Sequence, residues 1–366
     1  MPPIKYVLRL CTVAAVLAFI VLQIVVRRSR GSPPRVQLKS ESQIARIGLS
    51  QDSYPCLLVE RSGQRLQSSL TNCLPALHND AAIEQYEVDL RSGRFTLRQT
   101  DVFVPDNMPL TLTRGYRLWD QQSRAFGVGG NHVYDIFPYG DRFPYTFMEL
   151  LLADGVRVHY DRISEGTSYV DDVNEHRGTS NSVFENSQIA WNHDHWDLTF
   201  RNGTLFRFPE AYYAKRGADG ALVGMRNPAG EEIRFFRDNL RNLKSVTSPH
   251  GHWIHFAYDS RNRILEATDD GGSSISYSYD SSGRLADVKR KGTVLWRYSY
   301  DEIGMTSVGR GGPEIVIVNR YARGRIASIT IENSHTYRFD YLFGPKGNVI
   351  ETRVTDPDGN ATALRF

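Results

Sequence analysis

The 366-residue sequence lacks the short signatures that usually mark chemistry. It has no Gly-x-Ser-x-Gly, no Walker loop and no Cys-x-x-Cys. That removes the common nucleophile, phosphate and redox motifs from consideration. It also lacks an excess of one charge. Its 44 basic residues face 41 acidic ones, a formal net of +3, and part of that excess flanks one apolar run. A nucleic-acid partner needs a basic face, so none is expected. Cysteine is scarce, with three in all. A disulfide framework is excluded, and only one bridge is available.

What is present reads as a folded chain. Hydrophobic residues make up 40% and charged residues 23%. That is enough for a large core and is unlike a disordered composition. There are 19 Tyr and 30 Gly. Aromatics beside turn residues favour many short strands.

The one long apolar run is Leu10 to Val26, 17 residues without a charge. As a helix it would be about 26 Å long, close to a hydrocarbon core of about 30 Å. No small-x-small cleavage site follows; Arg27, Arg28 and Arg30 do. An uncleaved single-pass transmembrane anchor is therefore expected rather than a signal peptide. Its orientation has two conflicting indicators. Lys5 and Arg9 precede the run, whereas Arg27, Arg28, Arg30, Arg35 and Lys39 follow it. That count alone would hold the rest of the chain in the cytoplasm. Cys56 and Cys73 point the other way if they form a disulfide, which would require an oxidising compartment. They are equally compatible with two unpaired, packed thiols. An extracytoplasmic repeat region is the expectation carried forward.

An internal repeat dominates the C-terminal part. Tyr258-Asp259-Ser-Arg-Asn-Arg263-Ile264 is followed by Tyr279-Asp280-Ser-Ser-Gly283-Arg284-Leu285. Tyr300-Asp301-Glu-Ile-Gly304 and Tyr321-Ala-Arg-Gly324-Arg325 come next. The Tyr spacing is 21 each time (279−258, 300−279, 321−300), and a fifth copy opens at Phe343. A degenerate earlier copy opens at Phe236. Ahead of each Tyr, apolar and polar residues alternate, as in Val294, Trp296, Tyr298 and Tyr300. Period two is the strand signature. Asp can bond turn amides and Gly can take positive φ. Each repeat is thus predicted to be a β-hairpin that must stack on its neighbours to bury its aromatic face. These residues are expected to serve as core and turn, not as catalysts.

Tyr279 to Leu285 (Tyr-Asp-x-x-Gly-Arg-Leu) resembles the hallmark of the YD repeat of Rhs proteins. Upstream, Val88 to Gly93, Thr100 to Pro105, Leu112 to Arg117, Ala125 to Gly129, Ala153 to Gly155, Trp191 to Leu198 and Asn202 to Thr204 resemble an Rhs core opening. The resemblance covers roughly residues 85–366. It implies a mainly β fold of antiparallel YD-repeat hairpins forming an open or partial shell-like sheet. It also implies cell-surface, sugar-binding or partner-binding roles, or a shell around a C-terminal toxin. With about five clear repeats and no toxin-like sequence after Phe366, a closed shell and toxin delivery are not expected of this chain alone.

Other candidate sites are weaker. His193 and His195 would share a strand face and could contribute to a zinc site, but a turn between two strands is expected there. His250 and His252 form a weaker pair in a Pro-Gly turn. Asp171-Asp172 and Asp269-Asp270 are expected in solvated turns. Gly127, Gly129 and Gly130 are followed by no helical pattern that would present amides to a phosphate. No catalytic residue, metal or cofactor is assigned.

The expected order is a tail (1–9), an anchor (10–26), a linker and Cys-containing segment (27–84), an Rhs-like β module (85–210) and the YD-repeat sheet (211–366). Short helices are allowed near Glu41 to Ile47 and Ala76 to Ile83. The function expected is a non-enzymatic, membrane-anchored structural or interaction protein. The alternatives are the N-terminal fragment of a polymorphic toxin and an extracytoplasmic carbohydrate-binding module. A bare sheet edge near Phe366 is expected to recruit a protein partner.

Overall fold

A computed structural model describes residues 37–39, 55–62 and 65–72 as backbone strands, and 84–366 apart from 154–156, 178–183, 212 and 214–216. The predicted anchor at 10–26, the two short helices and Cys73 lie outside the described residues, as does the side chain of Cys56. Among the described residues no helix is long and apolar enough to cross a membrane.

Strands form nearly everything described; a single 3₁₀ turn, Gly217–Gly220, is the described exception. Two main sheets result. The first has six strands in the order Arg65–Asn72, Pro55–Ser62, Glu84–Asp89, Arg94–Val104, Leu110–Arg117 and Gly130–His132. The second runs as unbroken antiparallel neighbours from Phe137–Gly140 to Ala361–Arg365. It crosses residue 210 without interruption, because Leu205–Pro209 pairs directly with Gly224–Arg226. The expected bare edge near Phe366 is partly covered. Thr362, Ala363 and Leu364 pair in parallel with Gln37, Leu38 and Lys39. A three-residue partner some 320 positions away leaves no local pattern to read.

The predicted hairpins are there, and each carries a bulge at the repeat position. Tyr258 faces Ile264 while Ala257 faces Glu266, so one residue of the return strand is skipped. The same shift precedes Tyr279, Tyr300, Tyr321 and Phe343. In the earliest copy the equivalent position is Arg237, opposite Leu243, one residue beyond the Phe236 read from the sequence. Phe236 points outward and Phe235 is buried. The alternation holds elsewhere: Ile275, Tyr277, Tyr298, Tyr337 and Phe339 are buried.

The core is shared between the sheets. Phe95, Leu97, Leu110 and Leu112 of the first sheet belong to one buried cluster with Ile264, Ile275, Val308 and Ile329 of the second. Burying one such side chain stabilises by roughly 1.5–3 kcal/mol, so the first sheet is held on the repeats largely by apolar burial.

Candidate functional site

The repeat residues come first, because the sequence singled them out. Asp280 closes its turn with both carboxylate oxygens. Oδ1 accepts from the Arg284 amide at 2.8 Å, and Oδ2 accepts from Arg284 Nε at 2.8 Å. Asp259 does the same with Arg263, at 2.9 and 2.8 Å. Asp301 has no arginine at that place and accepts from the amides of Ile303 and Gly304, both at 2.8 Å. Gly283 supplies a φ of +82°. Gly304 does not have positive φ; glycine is needed there because a Cβ would lie 2.2 Å from Leu118 Cδ1.

Each arginine then reaches the next repeat. Arg263 lies 4.2 Å from the Tyr279 ring centre, and Arg284 lies 4.7 Å from that of Tyr300. A guanidinium over an aromatic face is favourable by roughly 0.5–2 kcal/mol. The tyrosine hydroxyls point back. Tyr258 donates to Leu243 O at 2.8 Å and Tyr279 to Ile264 O at 2.6 Å. Tyr300 donates to Leu285 O at 2.9 Å and Tyr321 to Met305 O at 2.6 Å. In the fifth copy Phe343 holds the register position under Arg325, and Tyr341 donates to Ile326 O at 2.9 Å instead. Burial pushes all five hydroxyls well above the usual phenol range, so they stay protonated and remain donors.

The first sheet and the small hairpin at 123–128 cap amides that emerge at the bulges. Ile264 N donates to Ala125 O at 2.7 Å, Met305 N to Tyr116 Oη at 3.1 Å, and Ile326 N to Gly93 O at 3.0 Å. Deeper still, Arg114 Nε donates to Asp101 Oδ2 at 2.7 Å, and a second arginine nitrogen bonds Gln99 and Tyr298. Tyr277 donates to the same Asp101 oxygen at 2.9 Å. Tyr258, Asp259, Tyr279, Asp280, Gly283, Arg284, Tyr300, Asp301, Gly304 and Tyr321 are thus engaged in holding sheet to sheet and repeat to repeat.

The other sequence candidates separate. His193 lies in the turn between Gln188–Trp191 and His195–Thr199, with φ +60°, so it does not share a strand face with His195. His195 bridges Asp194 and Asp197. His250 pairs with Asp106 at 2.5 Å and His252 with Asp270 at 2.6 Å. Asp106 is buried against its charge, but Ser248, His250 and two backbone amides outweigh that and hold its carboxyl far below the usual range. Among the described residues no three His, Cys, Asp or Glu side chains gather where a metal could be held. Asp171 is exposed, as expected, but Asp172 is not solvated: its side chain is 2% exposed.

Asp172 belongs to a feature the sequence did not single out. A cleft of about 950 Å³ opens among the strands and loops of residues 137–220. Trp191 and Trp196 face each other across the hairpin, ring centres 5.3 Å apart and planes at 63°. Tyr169 meets Trp191 edge-on at 5.4 Å and 77°. Tyr145 packs beside Tyr169 at 6.1 Å and 52°. Tyr213 stands at the rim, 84% exposed. The only available signal was aromatic density in Tyr134 to Phe147 and in Trp191 to Trp196.

Two carboxyls of this cleft are displaced in opposite directions. Burial raises Asp172, and the nearby Asp141 charge adds to that, while Asn174 and Arg162 oppose it. Arg162 Nη1 is 3.4 Å from Asp172 Oδ1, which has no hydrogen bond of its own. The Arg162 donors go instead to the carbonyls of Ser164, Tyr145, Glu165 and Ser168 at 3.1–3.2 Å. Asp141 is lowered, burial being outweighed by the Phe147 and Thr146 amides and the Thr146 hydroxyl. Opposed carboxyls can mark an acid–base pair. Here the Asp141 oxygens are taken up by its own loop and Asp172 is shut off from solvent.

Known proteins can now be compared. Residues 258–294 match the model of the RHS Repeat family, and 85–160 match a domain of unknown function, DUF6531. No curated protein matches. Among solved structures, the chain is similar to TcdB2-TccC3 without its hypervariable C-terminal region, at 12% identity and a TM-score of 0.31, over 81% of this chain and 21% of that one. It is also similar to the TcdB2-TccC3-Cdc42 structure, at 13% identity and a TM-score of 0.31, over 76% and 15%. A third is the Photorhabdus luminescens Tc holotoxin pore, at 14% identity and a TM-score of 0.30, over 76% and 14%. The chain spans about a fifth or less of the solved chains it matches. The RHS Repeat match lies on the hairpins whose Tyr, Asp and Arg interlock, so residues 258–294 carry an RHS repeat.

Proposed function

We propose that this chain is a non-enzymatic structural and interaction protein: a β-repeat wall held at a membrane by residues 10–26, with the aromatic cleft as its ligand site. One observation carries the reading. The residues that define the repeat are bonded to the wall itself, Tyr to the preceding hairpin and Arg to the following one. Such residues are not free to bind a substrate or move its protons. The cleft, by contrast, is lined by aromatic side chains that remain partly exposed, Tyr169, Trp191 and Trp196 among them. The anchor rests on the 17 uncharged residues from Leu10 to Val26, with arginines following.

Fractionation of cells expressing the full chain tests the placement. The chain is expected in the membrane fraction, resistant to high salt and released by detergent. The chain lacking residues 10–26 is expected in the soluble fraction. A full chain that is soluble after lysis would overturn the anchored wall.

A further inference from the structure

We propose that the joint formed by Arg94, Trp119 and Arg325 binds a carboxylate ligand, which stands in for an aspartate missing from the repeat that opens at Tyr321. This goes beyond the anchored-wall reading and does not rest on it.

The repeat pattern is the first ground. In two repeats the residue after the Tyr is an aspartate that holds an arginine. Asp259 Oδ2 accepts from Arg263 Nε and Asp280 Oδ2 from Arg284 Nε, both at 2.8 Å. Arg325 is the counterpart of those arginines, because it too precedes the residue opposite the repeat Tyr. The residue after Tyr321, however, is Ala322. Arg325 Nε is buried and finds no acceptor, and Nη1 reaches only the Arg323 carbonyl, at 3.5 Å. This repeat has kept the guanidinium and lost its carboxylate.

A second guanidinium arrives from the first sheet. Ile326 N donates to Gly93 O at 3.0 Å, and a Cβ on Gly93 would stand 2.7 Å from Arg325 Cβ. Arg94 therefore emerges beside Arg325. Its Cζ lies 5.3 Å from the centre of the Trp119 ring, and that of Arg325 lies 5.8 Å from it. Arg94 Nε is likewise buried without an acceptor. The indole is held in place, since Nε1 donates to Gly324 O at 2.9 Å, yet Trp119 is 39% exposed and a ligand can approach it.

Charge is the third ground. Among the described residues neither guanidinium has a carboxylate within ion-pair reach. The nearby acids are spent elsewhere: Asp89 on Ser92 and the Arg91 amide, Asp120 on Arg117 and Arg124. Two like charges at one ring repel, and an anion beside both replaces repulsion with attraction. The paired donors of a guanidinium match the two oxygens of a carboxylate. A carboxylate is also what the neighbouring repeats put on the equivalent arginines.

The test titrates an acetylated, amidated tetraglutamate peptide, its tetraglutamine counterpart, glutarate and inorganic phosphate into the full chain, solubilised in neutral detergent at low salt. Calorimetry reads binding, and tryptophan fluorescence reads the site in the parent and in Trp119→Phe. The glutamate peptide is expected to bind saturably, about tenfold tighter than the glutamine one. Its fluorescence signal should vanish in Trp119→Phe, and glutarate should compete for the same site. Binding should weaken as salt is raised. Arg94→Gln is expected to weaken it about tenfold. Ala322→Asp puts the missing carboxylate at an exposed position directly opposite Arg325, and should abolish binding without disturbing the fold. That variant keeps the test valid even if Arg94→Gln fails to fold. Unchanged binding in Ala322→Asp would overturn the proposal, as would no binding of either carboxylate probe. Phosphate bound more tightly than glutarate would overturn it in favour of a phosphate site. A chain that stays in membranes but binds no carboxylate loses this inference alone and leaves the anchored wall standing.

Discussion

Replacing Arg114 with methionine is expected to destabilise the folded chain by about 3–5 kcal/mol. Its side chain is 4% exposed and that of Asp101 is 1% exposed, with 2.7 Å between them. Burial works against the guanidinium charge, and Asp101 more than offsets this. Methionine fills much of the arginine volume, so the loss is electrostatic rather than a cavity. Asp101 would keep the Tyr277 hydroxyl, but its buried charge would lose its counter-ion. Gln99 and Tyr298 would also lose their bonds to the guanidinium, while the Tyr298 hydroxyl would keep Gln99. The double variant Arg114→Met with Asp101→Leu removes both charges and should recover part of the stability, because a buried pair replaced by apolar groups is often neutral. Urea unfolding of the single and double variants measures both effects. A single-variant loss under about 1 kcal/mol would mean that the network is wetter than its burial indicates.

Gly127→Ala should be nearly as damaging, by about 2–4 kcal/mol. Gly127 has φ +80°, and a Cβ there would sit 2.2 Å from the Gly283 carbonyl oxygen. That oxygen accepts from Val128 N at 3.0 Å, so the contact joins the small Ser123–Arg124/Gly127–Val128 hairpin to the repeat hairpins. Neither side can retreat without breaking the joint. Gly347→Ala is the matched control. Its φ is +75°, but nothing lies within 4 Å of the added carbon. Only backbone strain remains there, about 1–2 kcal/mol. Comparable losses in the two variants would show that the close approach at Gly127 contributes nothing.

The period of 21, the alternation ahead of each Tyr and the Asp turn are local patterns, and they were legible in the residues. They specify hairpins, and hairpins are what formed. Three things were not legible. The reach of Arg263 and Arg284 to the next tyrosine depends on how neighbouring hairpins stack, which one repeat does not encode. Gly304 looked like a turn glycine and is in fact a site of close approach to Leu118, nearly two hundred residues away. The cleft draws its walls from segments spread over residues 137–220. Its tryptophans flank His193 and His195 in the sequence, but only the pairing of the two strands brings Trp191 against Trp196. The histidine pair failed for a local reason: a turn at positive φ rotates His193 off the strand.

The central claim is that the repeat tyrosines hold one hairpin to the next. Urea unfolding of four separate variants, Tyr258→Phe, Tyr279→Phe, Tyr300→Phe and Tyr321→Phe, tests it most directly. Each removes one hydroxyl bonded to a carbonyl of the preceding hairpin, at 2.8, 2.6, 2.9 and 2.6 Å respectively. The ring and its packing are left in place, as are the arginines over Tyr279 and Tyr300. A loss of about 1 kcal/mol in each variant, at every step of the ladder, is the predicted result. Four variants as stable as the parent would contradict it and would free those hydroxyls for another role.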